Sequence, residues 1–385
     1  MRIGIDATNV GGGGGITHLK EILTNYDEVF FSKSISRIVV FASQKVFNEL
    51  PELDVLEKVT FDDLNGSILS RSLFQFFRFD KFILNQCDIL FSITGDYLGN
   101  FKPVVGMSRN MLLYDRGSWK EMNSFKEKSR FYLNFLKQKR CFSHSDGIIF
   151  ISSHAKIEVN RILPISNKIQ RIIHHGISPK FLGSVENHHR ISEFSAENPF
   201  KFLYVSTVHT YKHHGNVVEA VANLRNSGFP VELHLVGGVI FNPAGDRLNK
   251  SIQAFDPDSE FIHYHGHQPY DNIQLLYHRA NGVIFASSCE NMPNILLESM
   301  ASGLPIACSN YQPMPEFLEN GGFYFDPKSV DSIVSSLKEL LNSPKRGYEM
   351  ARDNLERIKK YSWEKTSKST FQFIIDVANN HYAQK

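Results

Sequence analysis

Ser287-Ser288-Cys289-Glu290-Asn291-Met292-Pro293-Asn294-Ile295-Leu296-Leu297-Glu298-Ser299-Met300-Ala301-Ser302-Gly303-Leu304-Pro305 sets two carboxylates, Glu290 and Glu298, on either side of a helix start. Pro293 suits the first helical position, Asn294 to Ala301 continue the helix, and Gly303 with Pro305 stops it. Glu290 therefore lies on the loop ahead of the helix and Glu298 inside it. The unpaired N–H groups of such a helix start favour an anion, so a diphosphate fits between the two carboxylates. Carboxylates accept hydrogen bonds from hydroxyls, and a nucleotide sugar carries hydroxyls at both ends of its diphosphate.

Outward from this stretch, the chain reads as two rounds of alternating strand and helix. The first round has apolar runs at Arg2–Asp6, Arg37–Ala42, Ile89–Ile93, Val104–Met107, Gly147–Ser152 and Ile169–His174. The second has Phe202–Ser206, Val231–Val236, Phe261–His265, Gly282–Ala286 and Pro305–Ser309. The intervening segments are long enough for crossover helices, which predicts parallel sheets in two Rossmann-like α/β domains facing a cleft. Residues 183–199 are polar and aperiodic and read as a linker between an N-terminal domain, 1–182, and a C-terminal domain, 200–360.

The chain has 385 residues, 42% of them hydrophobic and 21% charged, which describes a globular protein with ample core. Cys87, Cys141, Cys289 and Cys308 are far apart and predict buried, reduced thiols. The N-terminus enters a strand without an apolar leader, and no apolar run is long enough to span a membrane, so a cytoplasmic protein is expected. A net charge of +2 conceals an asymmetry. Residues 1–180 carry 24 Lys and Arg against 18 Asp and Glu, or +6, and residues 181–385 carry 18 against 22, or −4. Two aromatic and basic segments contribute, 71–82 and 120–140. Each reads equally as a surface for an anionic membrane or as a helix with its aromatic face in the core. Nucleic acid is the weaker partner reading, because the bias is modest and no recognition module is present.

Ligands of parallel sheets bind at the carboxyl ends of the strands. After the first strand, Gly11-Gly12-Gly13-Gly14-Gly15-Ile16-Thr17-His18 brings bare backbone toward a ligand but lacks the spacing of a dinucleotide fingerprint. After the first strand of the second round, Ser206-Thr207-Val208-His209-Thr210-Tyr211-Lys212 ends on a lysine able to neutralise a diphosphate.

Together these segments resemble a GT-B glycosyltransferase of the family 4 type, the glycosyl transferases group 1. Glu290 and Glu298, with seven residues between them, match its paired-glutamate motif. Further matching segments are Tyr204–Val208 with Lys212, Leu235-Val236-Gly237-Gly238, His265-Gly266, Ala301–Pro305 and Pro315-Glu316-Phe317. The resemblance covers nearly all of the C-terminal half, with support from the glycine loop and Ile172–Gly176. It implies a C-terminal helix, 361–385, that packs back on the N-terminal domain. The expected activity is that of a cytoplasmic enzyme moving a sugar from UDP- or GDP-sugar to a lipid-linked oligosaccharide or surface polysaccharide, the acceptor class and a peripheral position on the inner membrane face being motivated by the basic aromatic segments of the N-terminal half. Transfer would retain anomeric configuration and use no metal or other cofactor.

For individual residues, the resemblance implies that Glu298 holds the ribose hydroxyls and Glu290 contacts the donor sugar. Backbone N–H groups at Asn294, Ile295 and Leu296 would receive the diphosphate, with Lys212 stabilising the leaving group. The His265-Gly266 loop would meet the base, and Thr207, Gly14 and Gly15 complete the donor set. His18, Arg109 and Asn110 are assigned to the acceptor side. Two departures stand out. Thr207 and Tyr211 occupy the positions where many members carry an arginine, and Gly106–Met111 has no histidine where many members place one.

Two other signals carry less. His263, His265 and His267 would share one strand face, but neighbours roughly 6.6 Å apart on a straight strand do not converge on one ion. Asp256-Pro257-Asp258 resembles an acidic metal triplet but reads as a surface turn. The competing functions are a GT-B sugar-nucleotide epimerase or phosphorylase, or a non-catalytic polysaccharide-assembly protein. An NAD-dependent oxidoreductase lacks the acidic ribose partner.

Overall fold

The computed structural model describes residues 1–11, 13–66, 68–115, 117, 119, 125–185 and 190–384. The chain divides into two compact units: Met1–Gly176 with Tyr361–Lys385, and Ile177–Lys360. Segment 183–199 lies within the second unit.

The first unit is built on seven parallel strands: β1 (Arg2–Asp6), β2 (Arg37–Phe41), β3 (Leu56–Val59), β4 (Ile89–Ser92), β5 (Val104–Ser108), β6 (Gly147–Phe150) and β7 (Ile169–Ile172). Their order is β3-β2-β1-β4-β5-β6-β7. Continuous Val, Ile and Phe runs make β2, β4, β5 and β6 almost wholly buried, as strands covered on both faces must be. The last helix, Trp363–Ala383, belongs to this unit. It buries Phe371 against Tyr26 and Phe31, with ring centroids 4.9 and 5.9 Å apart. Ser367 Oγ donates to Ile22 O at 2.6 Å, and Thr366 Oγ1 donates to His174 O at 2.7 Å. Gly147 permits the close packing, since a β-carbon there would lie 2.5 Å from Val377.

The second unit carries six parallel strands: β8 (Phe200–Val205), β9 (Val231–Val236), β10 (Ile262–Tyr264), β11 (Gly282–Phe285), β12 (Ile306–Ser309) and β13 (Phe323–Phe325). Their order, β10-β9-β8-β11-β12-β13, reverses direction between β8 and β11. The loops after those two strands therefore flank the crevice where doubly wound sheets take ligands.

Two parallel-sheet α/β units agree with the sequence reading, which missed two strands. β3 is a half-buried edge strand whose centre is Glu57-Lys58, so it lacks an apolar run. β13 has three residues, too few for a periodic signal. Two local expectations also change. Pro293 precedes the helix as its cap residue, and the helix runs Asn294–Ala301. Asp256 is not a surface turn residue: it is buried, and its carboxylate accepts from the N–H groups of Glu260, Phe261 and Ile262 at 2.9, 2.9 and 2.7 Å.

All four cysteines are buried, and none is in a disulfide. None of the described helices is long and apolar enough to cross a membrane.

Candidate active site

In the second unit, β8 ends at Val205 and the chain returns through a 3-10 turn, Thr210–Lys212, before the helix His214–Asn226. His213 makes that junction in the left-handed region, at φ 48°. The loop after β11 is tied to this turn: Ser288 N donates to Tyr211 O at 2.8 Å, and His213 Nε2 lies 2.8 Å from Ser288 Oγ. These bonds bring Lys212 Nζ onto Glu290 Oε1, 78 residues away in sequence, as an ion pair. Lys212 is 5% exposed. Its ammonium also lies 5.3 Å from the Tyr211 ring and 5.5 Å from Phe285, so aromatic faces rather than a second cation surround it. Tyr211 thus lines the lysine at one of the two positions where the resemblance leads to an arginine, while Thr207 stands exposed on the loop.

Glu298 lies in the Asn294–Ala301 helix, buried, with Oε1 accepting from Tyr270 Oη at 3.1 Å. Burial pushes this carboxyl up to about 7, against the opposing effect of the Tyr270 bond. Of the first-turn amides, Asn294 N–H is bonded to Met292 O at 3.0 Å and Leu296 N–H to Pro293 O at 2.9 Å. Of the expected three amides, Ile295 N–H is therefore the one without a backbone acceptor among the described residues.

His265, exposed, and Gly266, half-buried at φ 63°, lead from β10 into a bend at His267. Gly237 N donates to Gly266 O at 2.8 Å, fastening this bend to the loop after β9. Gly237 needs its missing side chain, since φ is 145° and a β-carbon would lie 2.0 Å from Ser206 O.

In the first unit, Gly14 and Gly15 open the helix Gly14–Thr24, and the Arg109 guanidinium lies against them. A β-carbon at Gly15 would stand 3.3 Å from Arg109 Nη1. Burial lowers Arg109 to about 10, and its Nε has no hydrogen-bond partner among the described residues. A cavity of about 330 Å³ opens beside it, lined among others by Arg71, Asp96, Asn110 and Lys137. Arg71 and Lys137 come from the two basic segments, so part of that basic excess faces a cavity instead of open solvent. The remainder of the helix Ile68–Phe77 is amphipathic, with Phe74 and Gln75 buried and Leu73, Phe76 and Phe77 exposed. Residues 120–124 of the other segment, and the side chains of 125–127, lie outside the described residues.

The acceptor-side assignments separate. Asn110 is exposed and its side chain accepts from Leu112 N at 3.1 Å. His18 is buried among His175 and Trp363, at ring-centroid distances of 4.6 and 5.7 Å. Burial first, and then the neighbouring His175 and Arg109, hold His18 well below the ordinary histidine range. It is a buried, neutral imidazole, and neither of its ring nitrogens has a hydrogen-bond partner among the described residues.

Sequence reasoning did not find a polar network beneath that loop. Asp6 accepts from Thr8 Oγ1 at 2.7 Å, and Asn9 Nδ2 donates to Asp96 Oδ2 at 2.7 Å. Burial and the nearby Asp96 raise Asp6 to about 7. The only trace in the sequence is a carboxylate ending the first strand. Tyr270, the partner of Glu298, had no signal at all.

Residues 185–361 match the family described as glycosyl transferases group 1. Among curated proteins, the chain is similar to the O-antigen chain mannosyltransferase B of Escherichia coli, 32% identical over 111 residues. That alignment spans 29% of each protein, so the chain covers less than a third of this relative. Among solved structures, the sucrose-phosphate synthase from Thermosynechococcus elongatus superposes with a TM-score of 0.74 at 15% identity, covering 100% of both chains. Alr3699/HepE of Anabaena, in complex with UDP and glucose, gives a TM-score of 0.70 at 15% identity, covering 97% of this chain and 99% of that one. The similarity to the glycosyl transferases group 1 family thus covers residues 185–361, within a two-unit α/β fold that the chain shares with these solved structures.

Proposed function

We propose that this protein transfers a sugar from a UDP- or GDP-sugar to a hydroxyl of a lipid-linked oligosaccharide or surface polysaccharide. The reading includes retention of anomeric configuration and no metal in the chemical step. The observation that carries it is the buried Lys212–Glu290 pair at the point where the second sheet reverses its strand order. A buried ammonium beside that crevice is a ready partner for a diphosphate as it takes up charge. Glu290, relieved of part of its ion pair when the diphosphate enters, can turn to a hydroxyl of the donor sugar.

In the transfer, the bond from the anomeric carbon to the leaving diphosphate oxygen breaks and a bond to the acceptor oxygen forms. The acceptor proton passes to the departing diphosphate, whose charge Lys212 offsets. Glu298, eight residues on from Glu290, receives the ribose hydroxyls, and the Ile295 amide receives a phosphate oxygen. The curated similarity to an O-antigen chain mannosyltransferase supports a polysaccharide acceptor, and the exposed Leu73, Phe76 and Phe77 beside basic residues support a membrane-proximal one.

A thermal-shift panel of UDP, GDP and their sugars tests the donor class. A bound nucleotide well above its dissociation constant stabilises by about 3 kcal/mol. Glu290→Ala should abolish transfer while the fold persists in circular dichroism; unchanged turnover in that variant would remove its assigned role.

A further inference from the structure

The parallel pairing of β9 and β10 creates a cluster that no single strand contains. Glu232 and His234 stand two residues apart on β9 and so share a face, and His263 is the register partner of His234 on β10. Glu232 Oε1 lies 2.8 Å from His234 Nε2, and Glu232 Oε2 lies 3.8 Å from His263 Nε2. The three ligand atoms all lie within 4.8 Å of one another. Those separations bracket the roughly 3.3 Å expected between ligands on a tetrahedral zinc ion with bonds of about 2.0 to 2.1 Å.

We propose that Glu232, His234 and His263 form a binding site for a divalent transition-metal ion such as zinc, on the outer edge of the second sheet. The donor set suits such an ion, being two imidazoles and one carboxylate with a fourth position left for water. A metal-bound histidine is oriented by a bond from its other ring nitrogen, and the structure supplies one: His234 Nδ1 lies 2.9 Å from His265 Nε2. The His234 and His265 ring planes are 5° from parallel with centroids 5.2 Å apart, so the bond between them sets the plane in which His234 presents Nε2. Lys201 Nζ sits 3.2 Å from Glu232 Oε1, anchoring that oxygen while Oε2 faces His263. The carboxylate is 12% exposed and the two imidazoles 24% and 33%, so the pocket is shielded yet open to an ion from solvent.

β10 is the edge strand of its sheet. A bound ion would tie it to β9 immediately before the His265-Gly266 bend, which is held to the next loop by Gly237 N and by Tyr264 Oη donating to Gly237 O at 2.8 Å. The test of the site does not require activity in the transfer proposed above.

The test is titration of the full-length, chelator-stripped protein with Zn²⁺ by calorimetry and with Co²⁺ by visible absorption. One equivalent should bind, with the intense d–d bands of tetrahedral cobalt, and should raise the melting temperature. His263→Ala should abolish the site, whereas His267→Ala, on the exposed bend, should leave it intact. His265→Ala should weaken binding about tenfold by freeing the His234 ring. Absence of saturable binding to the wild type, or equal affinity in His263→Ala and His267→Ala, would overturn the proposal. The cobalt spectrum of the wild type decides the question even if a variant fails to fold, because an octahedral spectrum excludes this donor geometry.

Discussion

Glu298 combines two demands that oppose each other. Burial lifts its carboxyl from the ordinary glutamate value of about 4.5 to about 7, whereas accepting ribose hydroxyls favours the ionised form. The folded state therefore holds a proton that the unfolded chain has lost between those pH values. This contribution to stability is present below about 4.5 and disappears as pH rises through 7. A shift of that size corresponds to about 3 kcal/mol of destabilisation above pH 7. Glu298→Gln should accordingly raise the melting temperature relative to wild type at pH 8 while weakening nucleotide affinity by about 1.5–3 kcal/mol, the worth of a hydrogen bond to a charged group. Thermal melts across pH 5 to 8, about the span of the shift, and nucleotide titrations check both parts. Nucleotide binding near pH 6.5, about midway in the titration, should release protons, seen as a dependence of calorimetric heat on buffer ionisation enthalpy.

Lys212 and Glu290 form a coupled pair, and removing one member leaves the other charged without its partner. Lys212→Met should cost about 3–5 kcal/mol of stability, and Lys212→Met with Glu290→Gln should recover much of it. Denaturant melts of the two singles and the double variant give the coupling. Turnover should stay lost in the double variant, because restored folding does not restore a cation at the diphosphate. The pair itself was not legible in the sequence. Each residue follows a different strand, and their meeting depends on β8 lying next to β11.

At the scale of elements, the helix Trp363–Ala383 is part of the first unit although the whole second unit precedes it in sequence. Phe371, fully buried against Tyr26 and Phe31, joins it to the first helix region. Phe371→Ala should destabilise the first unit by about 3–5 kcal/mol through lost burial and a residual cavity. Hydrogen exchange should show increased opening in β1 and the Gly14–Thr24 helix, with the second unit unchanged. The strands that were readable in the sequence are those with continuous apolar runs. β3 and β13 were missed because one is amphipathic at an edge and the other very short, so neither has a local pattern that outweighs its loops.

At the scale of the whole molecule, residues 1–180 carry a formal charge of +6. With Leu73, Phe76 and Phe77 exposed, the protein should bind anionic vesicles at low ionic strength. Binding should fall as salt shortens the screening length to about 8 Å at 0.15 M. Sedimentation with anionic and zwitterionic vesicles over a salt series measures this, and equal binding to both lipids would remove the electrostatic part of the reading.

The sequence alone determined two α/β units with parallel sheets and the order of the ligand loops, because hydrophobic periodicity and glycine or proline punctuation are local properties. It also placed Glu290 ahead of a helix and Glu298 within it. Only the tertiary structure decided which distant residues meet. Strand order brought Lys212 onto Glu290, parallel register brought His263 beside His234 and Glu232, and packing of the last helix buried His18 against Trp363. Such contacts depend on which strands are neighbours and on the depth at which each side chain lies. Both are settled when the sheets and helices bury their apolar faces together, not by any stretch of chain on its own.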